Sequence, residues 1–257
     1  MSYILENINE SERLEKQNAQ PQYSIEQELS ELQINLNGKK ILDAGCGAGS
    51  LSKILAAKFS SEIHACDASE LRIHQARKSS PKNIKYFVAD LTSLGSETYD
   101  VIFVRYVLEH TLSPGHILQS LYQVLRPGGH LVVIDFDGLI FNLHHQDEQL
   151  GKYLGLLQQQ LPIDLFIGRK LPRLLADIGL NLIDCRIQSI AFKAQELEAE
   201  VNNMIMRFDQ SAPLIQKVIG PENFDKFVSS YISEMRKCQV LFCSKFIITS
   251  TKPQEKK

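Results

Sequence analysis

The residues whose types and spacing best fit a chemical role lie in one short stretch, KKILDAGCGAGSLSKIL, at positions 39–55. Its apolar start ends in an acid, Asp43, and three glycines follow at two-residue spacing. The glycines are Gly45, Gly47 and Gly49. A strand, a tight turn and an amphipathic helix in this order commonly hold a nucleotide-like ligand against the helix N-terminus. The stretch therefore predicts a ligand site.

The glycine spacing narrows the choice of ligand. A dinucleotide-binding turn has the pattern G-x-G-x-x-G, and Ser50 stands where its third glycine would fall. A phosphate-binding P-loop needs Gly-Lys-Ser/Thr, which does not follow here. The acid ahead of the turn suits a ligand with a positive charge better than a pyrophosphate. S-adenosylmethionine is such a ligand, since its ammonium can meet a carboxylate or a backbone carbonyl while its carboxylate lies near a helix start.

Seven short apolar, β-branched runs are predicted to form the strands that position this turn. They lie at 39–44, 62–66, 84–88, 100–105, 130–136, 181–192 and 239–250. Helices are predicted to begin near Ala48, Ser69, Ser113 and Arg169, and others to cover about 4–18, 24–35, 145–160 and 196–236. The helix from Ser113 is expected to close at Pro127-Gly128-Gly129. Because strands joined by crossover helices form a parallel sheet, we expect an α/β, doubly wound, seven-stranded and mostly parallel Rossmann-like fold with a helical cap.

Length and composition indicate an ordinary globular protein. The chain has 257 residues and 44% hydrophobic content, which is enough for one large domain. We expect residues 1–37 to form an N-terminal helical cap, 38–137 the cofactor-binding core, and 138–257 a C-terminal half with helical insertions and the last two strands. The formal net charge of -2 offers no basic excess for a nucleic-acid backbone, so no nucleic-acid partner is expected.

Cysteine usage and the N-terminus predict a cytoplasmic location. The five cysteines form no CxxC pair, which favours reduced thiols over disulfides or zinc. Glutamates occupy the N-terminal positions where a signal peptide would be apolar, and no apolar run reaches the ~18 residues of a membrane helix. Membrane insertion is therefore not expected.

Five motifs over residues 41–137 resemble, in order, those of class I S-adenosylmethionine-dependent methyltransferases. ILDAGCGAG resembles motif I, and the others are HACDAS, YFVADL, YDVIFVRYVLEH and LRPGGHLVVIDFD. SERLEKQ at 11–17 and IGRKLPRLLADIGL at 167–180 are similar to outer elements of the UbiE-like small-molecule subgroup. The resemblance thus covers nearly the whole chain, with its most specific motifs in the core.

This resemblance implies S-adenosyl-L-methionine as cofactor and names the residues that would hold it. Asp67 matches the acid that accepts both ribose hydroxyls, Asp90 matches the acid that receives the adenine amino group, and the backbone carbonyl of Arg105 would meet the methionyl ammonium. The expected cofactor-binding residues are Asp43, Gly45, Cys46, Gly47, Asp67, Ala68, Asp90, Leu91 and Arg105, with Arg13, Gln17 and Tyr23 as candidates from the N-terminal helices. For these last three, solvated helix surface or cap packing is the alternative.

Three of these residues have alternatives of their own. Cys46 is expected to have a passive thiol and to serve through its backbone N–H. The Arg105 guanidinium could bind an acidic acceptor or form a structural ion pair. His110 is the candidate general base, because an imidazole can take a proton near neutral pH, but the motif LEH equally suits an orienting role.

Further along the chain, acids and histidines follow the fifth predicted strand. Asp137 and His144 are candidates to line the acceptor site. His144 and His145 are adjacent, yet without a third spaced ligand no metal site is expected.

The resemblance implies methyl transfer to a small-molecule acceptor. RYVLEH differs from the Asn-Pro-Pro-Tyr type of motif, so oxygen or carbon acceptors are favoured and an amine stays possible. A dinucleotide oxidoreductase is disfavoured by the glycine spacing. A non-catalytic sensor or assembly subunit that binds S-adenosylmethionine is the remaining alternative, because intact cofactor motifs do not prove turnover.

Overall fold

The computed structural model of the protein describes residues 20–254. Within that range the seven strands are β1 (Lys40–Ala44), β2 (Glu62–Asp67), β3 (Ile84–Val88), β4 (Tyr99–Arg105), β5 (Leu125–Asp137), β6 (Asn181–Lys193) and β7 (Val240–Thr251). The α-helices are α1 (Ile25–Ser30), α2 (Ser50–Lys58), α3 (Glu70–Ser79), α4 (Pro114–Val124), α5 (Glu148–Gln160), α6 (Ile167–Asp177), α7 (Gln195–Ile219) and α8 (Phe224–Lys237). Short 3₁₀ helices lie at Pro21–Tyr23, Leu108–His110 and Pro221–Asn223.

The strands form one sheet in the order β3-β2-β1-β4-β5-β7-β6. Only β7 is antiparallel to its neighbours, β5 and β6, and the other pairs are parallel. The predicted α/β, doubly wound and mostly parallel sheet is confirmed.

Helices cover both faces of the sheet, which explains why its central strands are mostly apolar. On one face Leu121 of α4 and Leu175 of α6 join a buried cluster, and on the other Leu55 of α2 and Ile73 of α3 do the same. A third cluster surrounds Phe136 at the carboxyl end of β5 and includes side chains of α5, α7 and α8. The sheet is therefore a rigid platform with an additional helical layer at one end.

The strand order places a crevice beside β1. Its neighbours are β2 on one side and β4 on the other, and Ala44 at its end pairs with Cys66 and with Val104. The chain leaves β1 toward one edge of the sheet and later returns to the other side of β1, so this is a topological switch point, where open α/β sheets bind ligands.

The structure differs from the sequence-based prediction at the Pro127-Gly128-Gly129 segment and within the predicted helix at 196–236. The Pro127-Gly128-Gly129 segment does not end a helix; α4 ends at Val124 and the segment lies inside β5. It is held there because Leu125 pairs with Tyr99 and the Gly128 N–H donates to the Lys252 carbonyl. The predicted helical stretch 196–236 is two helices, since Gly220 ends α7 with a φ of 87°.

The predicted cap is described only in part. Its second helix is shorter than predicted and ends at Ser30, and the predicted helix at 4–18 lies outside the described residues. The division into 1–37, 38–137 and 138–257 stays a prediction. From residue 20 to residue 254, none of the helices has both the length and the apolar composition needed to cross a membrane.

Candidate functional site

The glycine turn after β1 is closed by backbone bonds to the neighbouring strand. The N–H groups of Gly45 and Cys46 both donate to the Cys66 carbonyl, at 2.8 and 2.9 Å. Gly45 and Gly47 have φ values of 78° and 54°, which side chains rarely tolerate. A Cβ on Gly45 would lie 2.5 Å from Val107, whereas a Cβ on Gly47 would meet no atom of residues 20–254 within 4 Å. The turn therefore packs on the β4 side and opens toward the crevice at Gly47.

Asp67 lies at the end of β2 and faces this turn. Its Oδ2 accepts the N–H of Gly47 at 2.9 Å, and its Oδ1 accepts the N–H of Ser69 at 3.0 Å. Each carboxylate oxygen can accept a further hydrogen bond. Ala68 is exposed beside it. The predicted ribose-binding acid is thus next to the glycine turn with acceptor capacity left.

Asp90 follows β3 at the same edge of the sheet. Its Oδ1 accepts the N–H and the hydroxyl of Thr92, at 2.9 and 2.7 Å. These bonds lower the pKa of Asp90 and keep it ionised. Leu91 is buried, so only its backbone could meet a ligand, as the resemblance implies.

Asp43 lies beneath the turn, and the structure does not support direct contact with a ligand. Only 2% of Asp43 is exposed, and its Oδ2 accepts the Ser52 hydroxyl at 2.5 Å. Burial raises its pKa to about 6, although Ser52 and the charge of Arg105 act in the opposite direction. Its carboxyl group can act on a bound cation only through the field below the turn.

Cys46 also differs from its expected role. Its backbone N–H is taken by Cys66 and is not directed at the crevice. Burial, with the nearby charges of Asp43 and Asp67, raises the pKa of the Cys46 thiol well above its usual value. A raised pKa disfavours the reactive thiolate, and the passive role of this thiol stays a prediction.

The side chain of Arg105 forms the structural ion pair that was one of its two alternatives. Its Nε donates to Glu28 at 2.7 Å, and its Nη2 donates to the Tyr23 carbonyl at 2.8 Å. The guanidinium is therefore engaged by the N-terminal segment. Its backbone still ends β4 beside the glycine turn, where the predicted contact with the methionyl ammonium stays a prediction.

Tyr23 is wholly buried, which corrects the expectation that its side chain touches the cofactor. Its ring packs edge-on against Phe136 at 5.6 Å and tilted against Phe192 at 5.9 Å, between ring centroids. Its hydroxyl donates to Oε1 of Glu200 in α7 at 3.2 Å. Cap packing is therefore its observed role. The other two N-terminal candidates, Arg13 and Gln17, lie outside the described residues.

The loop after β4 is fixed by a buried acid that the sequence analysis gave no role. Oδ2 of Asp135 accepts the N–H groups of Leu108 and Glu109, at 3.0 and 3.3 Å. Burial and the charge of Glu109 raise the pKa of Asp135 well above its usual value. His110 follows in this 3₁₀ turn, half-buried, with its Nε2 3.2 Å from Oε1 of Glu109. The geometry holds His110 in a defined place beside an acid.

Asp137 is engaged in an ion pair and His144 is exposed, and their predicted place in the acceptor site stays a prediction. Asp137 forms a two-point ion pair with Arg169, at 2.9 Å to Nε and 2.7 Å to Nη2, and also accepts the Arg169 N–H. His144 is exposed, and Nδ1 of His145 lies 3.1 Å from the Asp147 carbonyl oxygen. Among residues 20–254 no three histidines, cysteines or acids are grouped to hold a metal.

Two stacked rings form an aromatic wall beside the carboxyl ends of β4 and β5. Tyr106 stacks on Phe136 with ring centroids 4.5 Å apart and planes within 5°. Behind the wall, Asn203 donates to Oε2 of Glu200 at 2.9 Å, so the carboxylate that receives the Tyr23 hydroxyl is held on both oxygens. Glu200 and Asn203 belong to the long helix α7, and its amphipathic pattern does not predict that they are buried.

Comparisons with known proteins agree on the family. A family model described as a methyltransferase domain matches residues 17–184. The ubiquinone biosynthesis O-methyltransferase of Coxiella burnetii is 35% identical over 106 residues, which are 39% of this chain and 45% of that protein. The chain thus spans less than half the length of the curated relatives it matches.

Solved structures share the fold. A Haemonchus contortus phosphoethanolamine N-methyltransferase 2 in complex with S-adenosyl-L-methionine has a TM-score of 0.57 and 19% identity, over 89% of this chain and 53% of that one. The YcgJ protein from Bacillus subtilis has a TM-score of 0.60 and 14% identity, over 91% of this chain and 99% of that one. At these identities the likeness is one of fold. Because the family model covers more than half of its residues, the chain belongs to the methyltransferase domain family.

Proposed function

We propose that the protein transfers a methyl group from S-adenosyl-L-methionine to a small molecule, with an oxygen atom as the favoured acceptor. The observation that carries this is the convergence of an open glycine turn with Asp67 and Asp90 at the switch point of the sheet. The family match and the O-methyltransferase relatives support the same reading. Carbon and amine acceptors are the less favoured possibilities.

The residues at the crevice fit this cofactor. The backbone at Gly47 leaves room for a ligand, because a Cβ there would meet no atom of the described part of the chain within 4 Å. Asp67 would accept the ribose hydroxyls, Asp90 the adenine amino group, and the backbone at Leu91 would flank the ring. When bound, the cofactor supplies a methyl group already activated by its sulfonium. The main tasks of the protein are therefore to bind and orient the cofactor and the acceptor and to exclude water, since the methyl group needs no further activation.

The acceptor would lie beside the loop that follows β4. His110 lies in the loop that Asp135 fixes, where it would orient the acceptor. The acceptor proton can leave after the methyl transfer, to water that enters as the product departs, so a strong base is not required.

The test combines cofactor binding with turnover. Calorimetry with S-adenosylhomocysteine and transfer of labelled methyl groups to a panel of phenols and other hydroxylated small molecules should both succeed with the wild type. Asp67→Asn should weaken cofactor binding, whereas Asp177→Asn, a matched change at an exposed ion pair on α6, should not. Cofactor binding without transfer to any oxygen, carbon or nitrogen acceptor would favour the non-catalytic alternative.

A cytoplasmic location is also proposed. It is supported by the five cysteines, all of which are free thiols in the structure. Fractionation of the expressing cells, with the redox state of the thiols measured by alkylation, tests it.

A further inference from the structure

Glu28 is a buried carboxylate that joins the N-terminal segment to two strands. Only 1% of it is exposed. It receives hydrogen bonds from Arg105 Nε at 2.7 Å, from the Tyr106 hydroxyl at 2.9 Å and from Lys245 Nζ at 3.0 Å. Arg105 ends β4 and Lys245 lies in β7. A buried charge is costly without partners, so this carboxylate is held by all three.

The same two cations also hold the backbone that leads to Glu28. Arg105 Nη2 donates to the carbonyl of Tyr23 at 2.8 Å, and Lys245 Nζ donates to the carbonyl of Gln22 at 3.2 Å. Residues 22–28 are therefore held over the carboxyl end of β4 and the middle of β7. Removing the Glu28 charge would take this carboxylate from Arg105 and Lys245 and weaken the attachment of residues 22–28 to β4 and β7.

Tyr106, the hydroxyl partner of Glu28, has a strained backbone. Its φ is 55°, a left-handed value that is uncommon for a bulky residue and persists only when the surroundings enforce it. Its N–H donates to the Ile134 carbonyl, its ring stacks on Phe136, and the Arg105 guanidinium lies 4.3 Å from its ring centroid. The bond to Glu28 fixes the far end of the ring, so Glu28 is part of what enforces this backbone.

The strained backbone stands next to the cofactor crevice. The φ of Tyr106 sets the orientation of the peptide group that carries the Arg105 carbonyl. One residue later, Val107 packs so close to the glycine turn that a Cβ on Gly45 would lie 2.5 Å from it. If the φ of Tyr106 changed to an unstrained value, the Arg105 carbonyl would turn and Val107 would move relative to Gly45 at the same time.

We infer that Glu28 is a positioning residue: it holds the 105–107 backbone in the shape that the methionine end of the cofactor requires, and so couples the seating of residues 22–28 to cofactor binding. This inference rests on the proposed function. Glu28 itself does not contact the cofactor; it acts through Arg105 and Tyr106.

The test uses the full chain, with Glu28→Gln and Tyr106→Phe, and S-adenosylhomocysteine as the probe. Glu28→Gln should raise the Kd by about tenfold or more, the scale of one or two charged hydrogen bonds, and leave the acceptor KM at saturating cofactor unchanged. Tyr106→Phe keeps the ring stack and should raise the Kd in the same direction. The double variant should bind no more weakly than Glu28→Gln, because both changes break one connection.

Glu26→Gln is the matched control, since Glu26 lies on the same helix and its exposed side chain pairs with Lys58. It should leave the Kd unchanged. If Glu28→Gln does not fold, Tyr106→Phe carries the test, because it removes no charge. A folded Glu28→Gln or Tyr106→Phe protein with wild-type Kd, or additive effects in the double variant, would overturn the inference. A wild-type protein that fails to bind the probe would instead overturn the proposed function, and the inference with it.

Discussion

Asp43 gives the sharpest prediction, because its carboxyl group is buried under the glycine turn and this burial outweighs the effects of Ser52 and Arg105 on its pKa. In the folded protein its pKa is about 6, against a usual value of 3.8. The difference between these pKa values corresponds to about 3 kcal/mol of unfolding free energy. The folded protein holds the proton more tightly than the unfolded chain does, so the unfolded chain ionises first as the pH rises.

The sign follows from this order of ionisation. Below about pH 4 both states are protonated and Asp43 contributes no penalty. Between about pH 4 and 6 the unfolded state gains relative to the folded state, and above about pH 6 the full penalty remains. Asn cannot ionise and can still accept the Ser52 hydroxyl, so Asp43→Asn should be more stable than wild type at pH 8 by up to about 3 kcal/mol, with the advantage fading toward pH 4.

Urea unfolding at several pH values between 4.5 and 8, followed by circular dichroism, measures this difference directly. Other acids titrate in both proteins, so the difference between the two curves isolates Asp43. Asp177→Asn, at an exposed position, should show no such pH-dependent gain. The reasoning is refuted if Asp43→Asn is no more stable than wild type at pH 8, or if its advantage is the same at pH 4.5.

Three other changes test the site. Asp67→Ala should weaken cofactor binding by about tenfold or more, since the carboxylate is expected to accept both ribose hydroxyls; unchanged affinity by calorimetry would remove Asp67 from the site. His110→Gln should lower kcat by less than about tenfold and keep the shape of the pH–rate profile, whereas a loss of about 10²–10⁴-fold with a flattened profile at constant cofactor affinity would make His110 the base. Asp135→Ala strands two buried N–H groups in the loop after β4 and should cost about 1–3 kcal/mol in urea unfolding, and an unaltered midpoint would show that the loop does not need this acid.

The sheet, and the position of two acids at the carboxyl ends of its strands, could be predicted because their signals are local. The run 84–88 coincides with β3, and β2 and β4 differ from their predicted runs by one residue at one end. Asp67 directly follows one such run and Asp90 comes two residues after another, so the topology brings both to the carboxyl ends of neighbouring strands. Periodicity predicts this position, and the cofactor-binding role of the two acids stays what the resemblance implies.

The acids that shape the rest of the site could not be predicted in this way. Glu28 looks like a solvated position of a glutamate-rich helix, and only its partners in β4 and β7 make it a buried group. Asp135 sits inside an apolar run, and the loop N–H groups that it fixes, those of Leu108 and Glu109, are 27 and 26 positions away in sequence. The same long-range contacts explain why Arg105 and Tyr23 serve packing more than ligand contact. A single sequence holds no record of pairs separated by tens to hundreds of positions.

The antiparallel strand β7 has a consequence for the order in which the protein can be completed during synthesis. It fills the space between β5 and β6, and β6 has no other neighbour in the sheet. As the chain leaves the ribosome, the glycine turn and strands β1 to β5 can assemble early. Glu28, however, must wait for Lys245, more than two hundred residues later, before its second cation exists. A nascent or C-terminally shortened chain would thus have the cofactor motifs in place while residues 22–28 still lacked their contacts with Lys245.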